Sequence, residues 1–183
     1  MNVNMRIYYV RHGQTDLNLM KKMQGGETEK DLNETGIKQA QETKKILENI
    51  KYDLVICSPM NRAKQTARII NEGRNIPIIT DERIRERKLG EYEGCEVTDE
   101  MEKKIWDYDL NYNIPKGENL HDFEKRILEF LKETKQKYDD KTILIVAHGG
   151  VAKVLKAYLY GMPESKNLSE IRVENCEVIE AEI

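Results

Sequence analysis

Arginine stands directly before histidine at Arg11-His12-Gly13, with Gln14 and Thr15 following and Asn18 close behind. A guanidinium is permanently charged and grips the oxygens of an anion in a fork. A neutral imidazole beside it attacks phosphorus when its other nitrogen is held as the donor. Gly13 lets the backbone turn sharply and come close to a ligand. A second arginine, Arg62, lies in Ser58-Pro59-Met60-Asn61-Arg62-Ala63-Lys64-Gln65-Thr66-Ala67, near an expected helix start. Free N–H groups at such a start also favour phosphate. Glu86 sits in the charged segment Ile84–Gly94. A carboxyl beside a bound phosphate, if held protonated, donates to a leaving oxygen. His148-Gly149-Gly150 offers a second imidazole, which can hydrogen-bond a transferring phosphoryl group and stabilise its charge.

Each piece alone has a plainer reading. Arg11-His12-Gly13 fits a surface turn, Arg62 a solvated side chain on a helix that starts at proline, and Glu86 a solvated glutamate. His148 fits a helix N-cap followed by glycines for tight packing. His121 lies in a polar helical segment and is expected to be exposed. Cys57 stands one residue too close to Arg62 for a tyrosine-phosphatase-like loop, and no Gly-rich cradle lies between them. It is read as a buried strand residue.

The elements that would position these groups follow from the apolar pattern. Strands are expected over Met5–Val10, Asp53–Cys57, Ile76–Ile79 and Thr142–Ala147. Two further short strands are expected at Glu170–Val173 and Glu177–Ala181, around a turn at Asn175. Helices are expected over Gly36–Ile50, Asn61–Asn71, Glu100–Asp109, Glu118–Tyr138 and Gly149–Tyr160, and Glu82–Gly94 is expected to be irregular. This alternation implies a three-layer α/β/α sandwich with a mostly parallel, mixed sheet. Three of the marked sequences fall just after a strand: after Val10, after Cys57 and after Ala147. Ligands in open α/β sheets bind beyond the carboxyl ends of strands, so one crevice is expected to gather all three.

The chain has 183 residues, 34% of them charged, and a formal net charge of -3. Its length suits a single domain spanning residues 1–183. A chain of this size buries about 70% of its unfolded surface and needs no disulfide or metal to fold. The charge balance argues against a nucleic-acid binder. The three cysteines show no metal-ligand spacing and read as reduced thiols. No run approaches the ~20 apolar residues of a membrane span, and the N-terminal residues lack a long apolar signal segment. The expected location is cytoplasmic.

Together and in this order, these motifs resemble the histidine phosphatase (phosphoglycerate mutase-like) superfamily. Leu32–Ala40, the Tyr92-Glu93-Gly94 end of the glutamate segment and Pro115-Lys116-Gly117-Glu118 add to the likeness, which covers nearly the whole chain. The resemblance implies that His12 is a nucleophile that becomes phosphohistidine. It implies that Arg11, Arg62 and His148 surround the phosphate and that Glu86 is the general acid. Asn18, Gln24, Gly25 and Gly149 would line the pocket. No metal and no cofactor are implied, so activity is expected in chelator.

The superfamily holds both mutases and phosphatases. Mutases resembling this chain carry a tyrosine three residues after the acid and a lysine eleven after it. Those positions here are Leu89 and Val97, and no arginine occurs between Thr98 and Ile114. A bisphosphate would lack its second clamp. The expected activity is therefore phosphatase action on a small phosphorylated metabolite, in a branch that resembles α-ribazole phosphatases and broad-specificity phosphatases. Phosphoglycerate mutase and protein phosphatase are the alternatives. Residues 95–115 are expected to cap the site. They include Trp106, Tyr108 and Tyr112, which would either pack the cap or stack on a substrate ring, packing being preferred.

Overall fold

The computed structural model describes residues 5–183. Strand β1 (Arg6–Arg11) runs beside β4 (Thr142–Ala147), in parallel and in the register Arg11 to Ala147. Strand β2 (Leu54–Cys57) lies on the other side of β4, and β3 (Ile78–Thr80) forms the edge beyond it. Strand β5 (Val178–Glu182) pairs antiparallel with β1, giving the order β3-β2-β4-β1-β5.

Side chains alternate across the sheet, as the pleat requires. Ile7, Tyr9, Ile56, Ile143 and Ile145 face one layer. There they pack on α5 (Leu120–Lys137) and α6 (Gly149–Tyr160), through Phe123, Phe130, Val151 and Leu155. Tyr8, Val10, Val55, Cys57, Leu144 and Val146 face the opposite layer. Their partners are Leu47, just after α2 (Glu34–Ile46), and Ala63, Ala67 and Ile70 of α3 (Asn61–Asn71). Both faces of β2 and β4 are covered, which explains their almost uninterrupted apolar runs. The fold is the three-layer α/β/α sandwich that the alternation implied.

Most expected elements lie within a few residues of their predicted bounds; β4, α3 and α6 match them. The tail differs. Glu170–Val173 forms no strand: residues Leu168–Glu170 make a 3-10 turn, and Arg172, Val173 and Glu174 after it line the crevice. Side chains take carbonyls that a ladder would otherwise use, with Arg11 donating to Val173 and Lys153 to Ile171. The helix predicted over Glu100–Asp109 is α4 (Asp99–Ile105) and stops early. Beyond Trp106 the backbone turns to bond Lys166 and Leu168. A four-residue helix, α1 (Asp16–Leu19), was not expected. Thr15 and Asn18 close a reciprocal capping box around it, a pattern present in the sequence.

Candidate active site

His12 leaves the end of β1 with its backbone held on several sides. Its N–H donates to the Ala147 carbonyl at 2.9 Å, and its own carbonyl accepts from Asn175 Nδ2 at 2.9 Å. The next N–H, of Gly13, reaches Thr66 Oγ1 at 3.0 Å on α3. Gly13 also packs against the backbone of Gly36, where a Cβ would collide. His12 is 3% exposed. Its Nδ1 lies 2.7 Å from the Gly13 carbonyl, and its Nε2 lies 3.3 Å from Arg62 Nε. The Gly13 carbonyl can only accept, so the ring proton sits on Nδ1. This assignment leaves a lone pair on Nε2. Burial, then the charges of Arg62 and Arg11, hold the His12 pKa well below the usual histidine range.

Arg62 is fully buried in the first turn of α3. Nη1 donates to the Thr28 carbonyl at 2.8 Å and Nη2 to the Gly25 carbonyl at 3.2 Å. With its amide oriented to satisfy both ends, Gln24 accepts from Arg62 Nε at 2.7 Å and donates to Thr15 Oγ1 at 2.5 Å. Burial pulls the Arg62 pKa down to about 10, against the opposing pull of the Glu86, Glu29 and Glu93 carboxylates. It stays cationic at neutral pH.

His148 ends β4, and its ring centroid lies 5.3 Å from that of His12. Its Nε2 is 2.7 Å from Ser58 Oγ. Ser58 Oγ accepts from the Met60 N–H at 3.3 Å. With the serine hydrogen directed to Nε2, the free ring proton is on Nδ1. That Nδ1 is buried without a partner among the described residues, and so is Arg11 Nε. Buried polar atoms are normally paired, so two unpaired ones flanking His12 mark a place for an acceptor. His148 occupies the N-cap position of α6, but its side chain makes no capping bond. Burial first, then Arg62, His12 and Arg11, hold its pKa well below the usual range.

Glu86 is 8% exposed, not solvated. Its Oε1 accepts from the Arg87 N–H at 2.8 Å and its Oε2 from the Gly150 N–H at 3.0 Å. Gly150 has no room for a side chain: a Cβ would overlap Glu86 Oε1 and come within 2.8 Å of Trp106 Cη2.

A cavity of about 710 Å³ opens over these groups, and its wall includes Arg11, His12, Asn18, Gln24, Glu86 and Gly149. Arg62 and His148 adjoin His12 without being part of that wall, and the Gly25 carbonyl accepts from Arg62. Val97, Asp99, Glu102, Lys103, Ile105 and Trp106 of the segment 95–115 line the cavity. Tyr108 and Tyr112 do not. Tyr108 bonds Glu124 and packs on exposed His121, and Tyr112 stacks on Tyr92. Cys57 is fully buried in β2, as read from the sequence.

Sequence reasoning missed Ser58, Arg87 and Lys153. The Lys153 ammonium donates to the carbonyls of Leu168 at 3.0 Å and Ile171 at 2.5 Å. Lys153 and Arg87 both line the cavity and both lie over the Trp106 ring, at 5.5 and 5.1 Å. Only Ser58, at a strand end before proline, carried a visible signal. Among the described residues no group of three or more His, Cys, Asp or Glu side chains is arranged to hold a metal ion. Among them, too, no helix is long and apolar enough to cross a membrane.

A model of the histidine phosphatase superfamily, branch 1, matches residues 7–183. The chain is 39% identical over 153 residues to the uncharacterized phosphatase PhoE of Bacillus subtilis (strain 168), covering 83% of this chain and 76% of that protein. It is 32% identical over 165 residues to the adenosylcobalamin/alpha-ribazole phosphatase of Escherichia coli (strain K12), covering 87% and 81%. The solved structure of Bacillus stearothermophilus YhfR superimposes with a TM-score of 0.84 at 32% identity, covering 96% and 90%.

Proposed function

The chain belongs to branch 1 of the histidine phosphatase superfamily, and on that premise we propose that it hydrolyses small phosphomonoesters, without a metal, through a phosphohistidine on His12. The observation that carries this reading is the tautomer of His12. The Gly13 carbonyl holds the ring proton on Nδ1, which leaves Nε2 unprotonated.

In the first step the ester phosphate enters among Arg11, Arg62 and His148. Arg11 Nε and His148 Nδ1 gain the acceptors they lack. The Nε2 lone pair forms the N–P bond as the P–O bond to the leaving group breaks. Glu86, protonated, gives its proton to the leaving oxygen. In the second step Glu86, now a carboxylate, takes a proton from water. The water oxygen bonds to phosphorus, the N–P bond breaks, and its electron pair returns to Nε2. Phosphoryl transfer needs positioning and charge stabilisation above all, and two arginines and a second histidine supply both.

Hydrolysis is preferred to mutase action because Leu89 and Val97 line the cavity with apolar groups. Those are the positions where the resembling mutases hold a second phosphate. A small ester is preferred to a folded protein because His12 is 3% exposed and Arg62 and His148 are fully buried. The cavity volume falls in the range of small-metabolite sites, roughly 300–1,000 Å³. The Met23, Leu89, Ile105 and Trp106 side of the wall suits a leaving group with an apolar face, and α-ribazole phosphate is one such candidate.

The test is phosphate release in excess chelator from α-ribazole phosphate, sugar phosphates, 3-phosphoglycerate and a nitrophenyl ester, with His12→Ala beside the wild type. Release that disappears in the variant is expected. Isomerisation of 3-phosphoglycerate with little free phosphate would replace hydrolysis by mutase action.

A further inference from the structure

Arg126 on α5 uses every N–H it has on the segment that carries Glu86 and on Glu118. A guanidinium holds five N–H groups. Nη1 donates to the carbonyls of Arg83 and, at 2.8 Å, of Arg85. Nη2 donates to the Glu86 carbonyl at 3.2 Å and to Glu118 Oε2 at 2.9 Å. Nε donates to Glu118 Oε1 at 2.7 Å. The Glu118 backbone holds the far side of the same segment: its N–H donates to the Lys88 carbonyl at 2.9 Å, and its carbonyl accepts from Arg87 Nε at 2.9 Å. Residues 83–88 form no strand and have no ladder to fix them. The carbonyls of Arg83, Arg85 and Glu86 are held by an arginine side chain instead.

We propose that Arg126, oriented by Glu118, is a positioning residue for the acid of the reaction, setting where the Glu86 carboxyl stands relative to the start of α6. The inference rests on the proposed role of Glu86 as general acid. The chain of contacts is direct. Arg126 grips the Glu86 carbonyl, and the Glu86 side chain is fixed at its far end by the Gly150 N–H. A shift of the 83–88 backbone breaks that registration, and small misplacements of a reacting group cost rate steeply. Arg126 itself does not line the cavity. Lysine, a point charge with three donors, cannot span the same acceptors.

The experiment compares Arg126→Gln, Arg126→Lys, Glu118→Gln, Glu86→Gln and the double variant Glu86→Gln/Arg126→Gln. Each is assayed on a nitrophenyl phosphate and on an alkyl phosphate, with Tm recorded. A nitrophenolate leaves with little help from an acid, whereas an alkoxide requires it. Arg126→Gln is expected to lose about 10²-fold on the alkyl ester, the lower end of general-acid effects, and under about tenfold on the nitrophenyl ester. Arg126→Lys and Glu118→Gln should show the same selectivity, and the double variant should be no slower than Glu86→Gln alone. Equal losses on both esters, or losses that multiply in the double variant, would overturn the positioning role. Should Arg126→Gln fail to fold, Glu118→Gln and Arg126→Lys decide the matter by the same ratio. If Glu86→Gln itself loses equally on both esters, the acid assignment has failed, a result separate from the Arg126 outcome.

Discussion

Arg62 Nε stands 3.3 Å from His12 Nε2, so a buried cation lies beside the unprotonated nitrogen of the ring. The Gly13 carbonyl, 2.7 Å from Nδ1, fixes the tautomer from the other side. The guanidinium keeps a proton off the attacking nitrogen, because a charged imidazole would face it at close range.

His12→Ala should abolish turnover and leave the fold intact. The imidazole belongs to neither apolar cluster, and its backbone bonds survive the substitution. Phosphate release and Tm check this. Residual turnover near the wild-type rate would remove His12 as the nucleophile.

Glu86→Gln should slow hydrolysis by about 10²–10⁴-fold, the range for loss of a general acid. The loss should be largest for alkyl esters and smallest for a nitrophenyl ester. A leaving-group series measures it, and a flat response would contradict the acid role.

Gly150→Ala separates stability from chemistry. Alanine favours a helix over glycine by about 1 kcal/mol. Its Cβ, however, would fall on Glu86 Oε1 and against Trp106. The expected result is a Tm within a few degrees of wild type and a loss of alkyl phosphatase activity comparable to that of Glu86→Gln. Full activity in the alanine variant would mean that a carboxyl anchored on the Gly150 N–H is not the working acid.

The two buried histidines predict an acid-sensitive fold. Both have pKa values held well below the ordinary 6.5. As pH falls through 6.5 the unfolded chain takes up protons that the folded chain refuses, so stability present above that pH is lost until the folded pKa is reached. Each histidine contributes a slope that grows toward about 1.4 kcal/mol per pH unit as the unfolded ring becomes fully protonated. Denaturant unfolding from about pH 7 to about pH 5, the range that spans the ordinary histidine pKa, should show a shallower decline in His148→Gln than in wild type. Parallel declines would count against the burial of a neutral ring.

Much of this was legible in the sequence because it is written locally. The runs of β2 and β4 are apolar without interruption, and each ends on a marked triplet or turn. Strand ends in a parallel sheet share one edge, so Arg11, His12, Arg62 and His148 could be placed together before any coordinates. Lys153 and Arg126 were not legible, since on paper each is one cation among many on a helix. Their partners are largely backbone carbonyls of remote segments, and carbonyls leave no trace in residue identity. The tail strand at Glu170–Val173 failed for the same reason: Arg11 and Lys153 take carbonyls that a neighbouring strand would have used. Taken alone, Glu86 also fitted a solvated glutamate, because the Gly150 N–H that holds it is likewise invisible in sequence.

Strand β1 has β4 on one side and β5 on the other, and both arrive late in the chain. During synthesis the histidine-bearing strand emerges before both of its sheet neighbours and waits, unpaired on both edges, until they follow. Such non-local pairing folds slowly and leaves sticky edges exposed in the meantime. The nascent chain therefore has a long interval in which it is inert toward phosphate esters and open to aggregation. Activity should appear only once β5 has cleared the ribosome.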